Sequence, residues 1–128
     1  MRLGAIVIDS NNSEELSGFY QNLLNWTIER QVFEGEKWII LKNADGNCTP
    51  LVFQEVNNYV PPKWPWIDGS QQQMLHLDFY VHADDFDSEV QRAISCGARL
   101  SEIQFSESWR VLLDPAGHPF CIIPIPMK

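Results

Sequence analysis

The order of apolar periods and turn residues in this chain runs twice, and that duplication limits the folds open to it more than any single motif. In the first copy Met1 to Asp9 reads as a strand, and Asn12 stands where a helix N-cap belongs, with Glu15 three residues on. Leu16, Phe19, Tyr20, Leu23 and Leu24 then recur at helical spacing, and Asn25 sits at the expected left-handed stop. Three strands follow, Trp26 to Val32, Lys37 to Lys42 and Leu51 to Val56, separated by Glu34-Gly35-Glu36 and by the turn-rich stretch Asn43 to Asn47. The second copy repeats the order. Leu75 to Val81 is a strand, and Asp84-Asp85 opens a helix with Phe86, Val90, Ala93 and Ile94 as its apolar stripe. Gly97 closes that helix, and strands follow at Arg99 to Ile103, Ser108 to Leu113 and Pro119 to Ile123. The copies are offset by about 72 residues. The expected fold is α+β: two tandem βαβββ modules.

A chain of 128 residues that is 45% apolar and 12% aromatic can fill one core, so a single domain over 1–128 is expected. Module one covers about 1–56, a linker about 57–73, and module two about 74–128. The linker is too rich in proline for regular structure. Its Trp64 and Trp66 either cover a sheet edge or a neighbouring subunit, or line the mouth of a pocket.

Charge narrows the partners. Seventeen acidic against nine basic residues give a net charge of -8, which repels a phosphate backbone and favours neutral or cationic ligands, so no nucleic-acid partner is expected. The longest uncharged apolar runs fall well short of the roughly 20 residues a spanning helix needs. The N-terminus lacks a small-residue cleavage site, and a cytoplasmic location is expected, with no membrane association. Cys48, Cys96 and Cys121 have neither even number nor C-x-x-C spacing, and read as reduced thiols.

Within Met74 to Val81 apolar and polar residues alternate, so that His76, Asp78 and Tyr80 share one strand face and Leu75, Leu77, Phe79 and Val81 the other. His76 reads either as a hydrogen-bonded wall residue or as a ligand-orienting, proton-transferring group. Asp78 either holds a cation or a histidine, or is a solvated acid. Tyr80 reads as packing with a wet hydroxyl, with a catalytic acid as the alternative. Arg110 is the one basic residue in its strand, which suggests an ion pair with Asp114 or Glu107. Asp114-Pro115-Ala116-Gly117 is a turn signal, His118 after it is structural, and His82 is expected to be exposed. Cys121, between Phe120 and Ile122, reads as an inert core-lining thiol, with a nucleophilic pair to His76 as the alternative.

These motifs, in this order, resemble the vicinal oxygen chelate superfamily, which includes glyoxalase I, extradiol dioxygenases, fosfomycin-modifying enzymes and bleomycin-binding proteins. The glyoxalase-like branch is similar in its Pro-Pro-x-Trp-Pro linker (Pro61 to Pro65), its His-Leu-Asp strand (His76 to Asp78) and its Trp-Arg-Val-Leu strand (Trp109 to Leu112). The resemblance implies sheets that curl around a cavity with the helices outside. It also implies four metal-ligand positions, one on the first and one on the fourth strand of each module. Here they fall on His76, on a position within Leu3-Gly4-Ala5 that offers no donor, on Gln54 and on Cys121. A slip of one residue would substitute Glu55 for Gln54.

Two protein ligands suited to zinc are fewer than a catalytic zinc site uses, so no metal is expected; a divalent ion, if held, would take His76, Gln54 and Cys121. The implied function is binding of a neutral or cationic, aromatic or amphipathic small molecule, as in bleomycin-resistance-type sequestration. Its cavity would be lined by Gln54, His76, Asp78, Tyr80, Trp109 and Cys121. The alternative is a metal-dependent lyase, isomerase or dioxygenase using His76. A homodimer is expected, as members of the superfamily pair their modules.

Overall fold

The computed structural model describes residues 1–126. The chain divides into two compact units, Met1–Tyr59 and a second beginning at Val60. The first contains β1 (Ile6–Ser10), α1 (Ser13–Leu24), β2 (Thr27–Phe33), β3 (Glu36–Lys42) and β4 (Leu51–Glu55). The second contains β5 (Leu77–His82), a 3-10 turn (Ala83–Asp85), α2 (Phe86–Cys96), β6 (Arg99–Leu100), β7 (Arg110–Leu113) and β8 (Pro119–Ile125). Each unit builds a four-stranded mixed sheet in the same order, β1-β4-β3-β2 and β5-β8-β7-β6. The first and last strands of each unit pair in parallel and the other pairs are antiparallel. This is the α+β, twice-βαβββ arrangement that the sequence implies.

Local chemistry sets the first unit's boundaries. Asn12 Oδ1 accepts the Glu15 backbone N–H at 3.0 Å and so starts α1, while Asn25 ends it at φ 57°, its N–H donating to the Gln21 carbonyl. Glu34 and Gly35, at φ 51° and 81°, give the two positive φ values that a tight hairpin between β2 and β3 requires. Leu16, Phe19, Tyr20 and Leu23 of α1 are buried together with Ile39, Leu41, Leu51 and Phe53 of the sheet. Tyr20 stacks on Phe53 at 5.8 Å and meets Phe19 edge-on at 4.8 Å. Each such side chain stabilises by about 1.5–3 kcal/mol. Glu55, at the end of β4, accepts from the Ser13 N–H at 3.1 Å and joins the sheet to the start of α1.

In the second unit Val90 and Ala93 of α2 are buried with Leu112, Phe120 and Ile122, and Phe79 meets Phe120 edge-on at 5.7 Å. Gly97 ends α2 at φ 125°, where a side chain would strain the backbone. Much of the expected linker folds onto this unit: Trp64 lies edge-on to Phe105 at 5.9 Å, and Lys63 N–H donates to the Gln71 carbonyl at 2.8 Å. Trp66 is exposed, its indole N–H donating to the Ser70 carbonyl.

Four expectations are corrected. The strand expected from Leu75 begins at Leu77, because Met74 adopts φ 65° and Leu75 N–H turns back to the Gln73 carbonyl at 2.7 Å. Leu75 is consequently exposed rather than packed beneath the helix. The strand expected over Arg99 to Ile103 keeps two residues: Ser101 N–H still donates to the Val111 carbonyl, but the Val111 N–H donates to the Gln104 side chain instead of to the Ser101 backbone. Arg110 points its guanidinium at the carbonyls of Ser106, Glu107 and Trp109 and lies over the Phe86 ring at 5.5 Å, in place of the expected carboxylate partner. His82 is only partly exposed and caps the turn before α2, its Nδ1 accepting the Asp84 N–H at 3.0 Å.

Candidate functional site

The parallel β5–β8 ladder pairs Asp78 with Cys121 and Tyr80 with Ile123. Asp78 and Tyr80 alternate with Leu77, Phe79 and Val81, so they project from the face of the sheet turned away from α2's buried stripe. His76 lies one residue before β5, held next to the strand by the turn at Met74. Its Nε2 stands 3.2 Å from Asp78 Oδ1, with the imidazole side chain 45% and the carboxylate side chain 40% exposed. The Cys121 thiol, half-buried, faces the same carboxylate, with its Sγ within 4.8 Å of a carboxylate oxygen. Burial pushes that thiol up to about 11, with the charge of Asp78 as the second cause. At neutral pH it is a protonated thiol, which disfavours a nucleophilic Cys121–His76 pair.

His76 Nε2, an Asp78 carboxylate oxygen and Cys121 Sγ all lie within 4.8 Å of one another, a cluster of metal-ligating groups among the described residues. Asp78 is the donor that the four-position pattern did not include. Its place two residues after His76 on one strand face was the signal available for it.

Tyr80 is 66% exposed beside this cluster on β5, and Trp109, 38% exposed, precedes β7. Gln54 belongs to the first unit, on β4, paired with Asp9. Aligned at their first pairs, Ile6–Leu51 and Leu77–Phe120, the two ladders match Ala5, Val7 and Val52 to His76, Asp78 and Cys121, and match Gln54 to Ile123. Glu55 is engaged with Ser13.

His118 and Asp114 form a separate pair. The Asp114 carboxylate, fully buried, accepts from the N–H groups of Ala116 and His118 and from His118 Nδ1 at 2.8 Å. It fixes the turn before β8 and thereby the placement of Cys121. No helix among the described residues is long and apolar enough to cross a membrane.

The glyoxalase-like domain profile matches residues 5–123. No curated protein sequence matches the chain. Among solved structures, a glyoxalase/bleomycin resistance protein/dioxygenase family enzyme from Burkholderia phytofirmans PsJN superposes with a TM-score of 0.70 at 18% identity, covering 98% of this chain and 99% of that one. A fosfomycin resistance protein, FosX, from Listeria monocytogenes, complexed with Mn(II) and 1S,2S-dihydroxypropylphosphonic acid, gives 0.68 at 15% identity over 96% and 91%. TnmS3, an antibiotic binding protein from Streptomyces sp. CB03234, gives 0.64 at 14% identity over 99% and 97%. With the profile spanning both βαβββ copies, from the residue before β1 to the body of β8, the chain belongs to the glyoxalase-like domain family.

Proposed function

We propose that this protein binds a neutral or cationic aromatic small molecule on the β5–β8 face of its second unit. The observation that carries this reading is the half-exposed Asp78 carboxylate with exposed Tyr80 two residues along the same strand face: a charge beside a ring. The acidic balance of the chain draws cations towards it. An antibiotic binding protein and a fosfomycin resistance protein of the same fold supply precedents for small-molecule occupancy. In this reading His76 orients the carboxylate, and Trp109, exposed just before β7 of the same sheet, adds a second ring for a planar ligand. A homodimer is proposed with it, and a cytoplasmic location in keeping with the three free cysteines.

Isothermal titration against a panel of cationic aromatic compounds tests the proposal. A hit is expected to weaken about tenfold in Asp78→Asn, the loss of roughly 1.4 kcal/mol. Absence of binding across the panel would remove the reading.

A second reading, a metal-dependent lyase, isomerase or dioxygenase centred on His76, is favoured by the three clustered donors. Elemental analysis of protein purified without chelator separates the two, since a stoichiometric ion lost in His76→Ala supports the enzyme.

A further inference from the structure

We propose that Arg110 is a positioning residue for the ligand site, holding the Trp109 ring in line with Tyr80 across one face of the second sheet. The inference rests on the ligand reading for what the ring meets, and adds to it the group that fixes the ring in place.

The ladder registers give neighbouring residues opposite roles. Asp78, Cys121 and Val111 pair in one row, and Phe79, Ile122 and Arg110 in the next, so Val111 shares the face of Asp78 and Arg110 the face turned to α2. Arg110 accordingly lies over the ring of Phe86, the first residue of α2, at 5.5 Å. Tyr80 pairs with Ile123, and carrying the β7–β8 register one residue past the start of β7 sets Trp109 level with both. Tyr80 and Trp109 then stand two strand spacings apart, about 9–10 Å. A planar ring between them meets each at a centroid distance of about 4.5–5 Å, within the range for stacked rings.

Trp109 precedes β7 and lies outside the ladder. Arg110 supplies what the ladder does not: its Nη1 donates to the carbonyls of Trp109, Glu107 and Ser106 at 2.9, 3.2 and 3.3 Å. Three carbonyls on one nitrogen curl Ser106 to Trp109 around the guanidinium, and the Ser108 N–H closes the bend onto Ser106 Oγ at 2.9 Å. Upstream, the Gln104 amide donates to the Ser101 and Val111 carbonyls and accepts from the Val111 N–H, each at 2.9 Å. The connection from β6 to β7 is thus bound at both ends while Trp109 stays 38% exposed. Fixing an exposed ring before a ligand arrives lowers the ordering cost of binding.

Two cations of equal charge separate the ring from the carboxylate: benzyltrimethylammonium, which carries an aromatic ring, and tetramethylammonium, which does not. Isothermal titration should show Arg110→Met weakening the benzyl compound about fivefold, with tetramethylammonium unweakened. Loss of the guanidinium charge alone would strengthen both cations, so a selective loss reads the ring. Trp109→Leu should lose the same increment, and Arg110→Met added to it should cost nothing further. Arg110→Lys, which keeps a charge without the planar fork, should recover part of the loss at most. In protein labelled with 5-fluorotryptophan, the Trp109 fluorine resonance is identified by its absence in Trp109→Leu. It should shift or broaden in Arg110→Met while the resonances of Trp26 and Trp38 in the first unit stay in place. An unmoved Trp109 resonance in Arg110→Met overturns the positioning role, and so does equal weakening of the two cations or an additive double variant. If neither cation binds the wild type while the Trp109 resonance moves in Arg110→Met, the ligand reading falls and the positioning of the ring stands.

Discussion

Asp78 and Cys121 stand opposite one another in the parallel β5–β8 ladder, a carboxylate oxygen and the thiol sulfur within 4.8 Å of each other. Burial first, and the Asp78 charge second, push the thiol from 9.0 to about 11. The folded state therefore keeps a proton that the unfolded chain gives up more easily. The resulting contribution to stability is whole below about pH 9 and is lost as pH rises through about 11. In the metal-free protein Cys121 should alkylate far more slowly than exposed Cys48 near neutral pH, with an apparent pKa near 11. Asp78→Asn should lower that value only part of the way, because burial, the larger cause, remains. Residue-resolved mass spectrometry of iodoacetamide labelling against pH checks this. Equal rates at Cys121 and Cys48 would contradict it.

Asp114 holds the turn that delivers β8. Its carboxylate is fully buried and accepts from two backbone N–H groups and from His118 Nδ1. Removing it strands buried donors, each costing about 1–3 kcal/mol. Asp114→Ala is expected to destabilise by about 3 kcal/mol, and Asp114→Asn, which keeps an acceptor oxygen, by less. Urea denaturation gives both values. An Asp114→Ala variant as stable as the wild type would show that the turn forms without its carboxylate.

The duplicated order, both helices and their stops were legible in the sequence because each is specified locally, by Asn12, Asn25 and Gly97 and by apolar stripes of fixed period. Where tertiary contacts intervene, the reading departs. The alternation through Met74 to Val81 looks unbroken, yet the left-handed Met74 ends the strand early, and no pattern of polarity reports a positive φ at methionine. Arg110 carried a charge without a visible partner in its strand, and the sequence pattern could not show that three carbonyls converge on it. His76 and Cys121 were legible as candidate ligands one by one. Asp78 was legible beside His76 from the strand alternation, and only the ladder register brings the pair to Cys121, 43 positions after Asp78, 121 minus 78.

Glu14, in the first turn of α1, ties the helix to the β2–β3 hairpin. Its carboxylate accepts from Arg30 Nε and Nη2 at 3.0 and 2.7 Å and from Lys37 Nζ at 3.1 Å. The Arg30 hydrogen bonds first, and that of Lys37 second, pull the carboxyl from 4.5 down to about 2. The stabilisation is therefore present above pH 4.5 and lost as pH falls through about 2. The groups are solvated, so the expected cost of Glu14→Gln at neutral pH is at most about 1 kcal/mol. It should shrink in 1 M salt, where the screening length falls to about 3 Å. Urea midpoints at low and high salt check this, and a cost unaffected by salt would point to packing rather than charge.

Two glycines should respond to alanine with opposite signs. Gly117, at φ 93°, occupies a left-handed position in the Asp114 turn, and a Cβ there would approach Pro61 Cβ to 3.2 Å. A left-handed L-residue costs about 1–2 kcal/mol, and the crowding against proline adds to it. Gly117→Ala should therefore destabilise by about 2 kcal/mol. Gly18 sits inside α1, where an added Cβ meets nothing within 4 Å. Alanine there relieves the entropy that glycine loses in a helix, and Gly18→Ala should stabilise by about 0.5–1 kcal/mol. Urea denaturation of the two variants side by side decides the matter. A stabilised Gly117→Ala would mean that the turn relaxes out of its left-handed conformation, and a destabilised Gly18→Ala would mean that α1 packs more closely at that point than its open surroundings indicate.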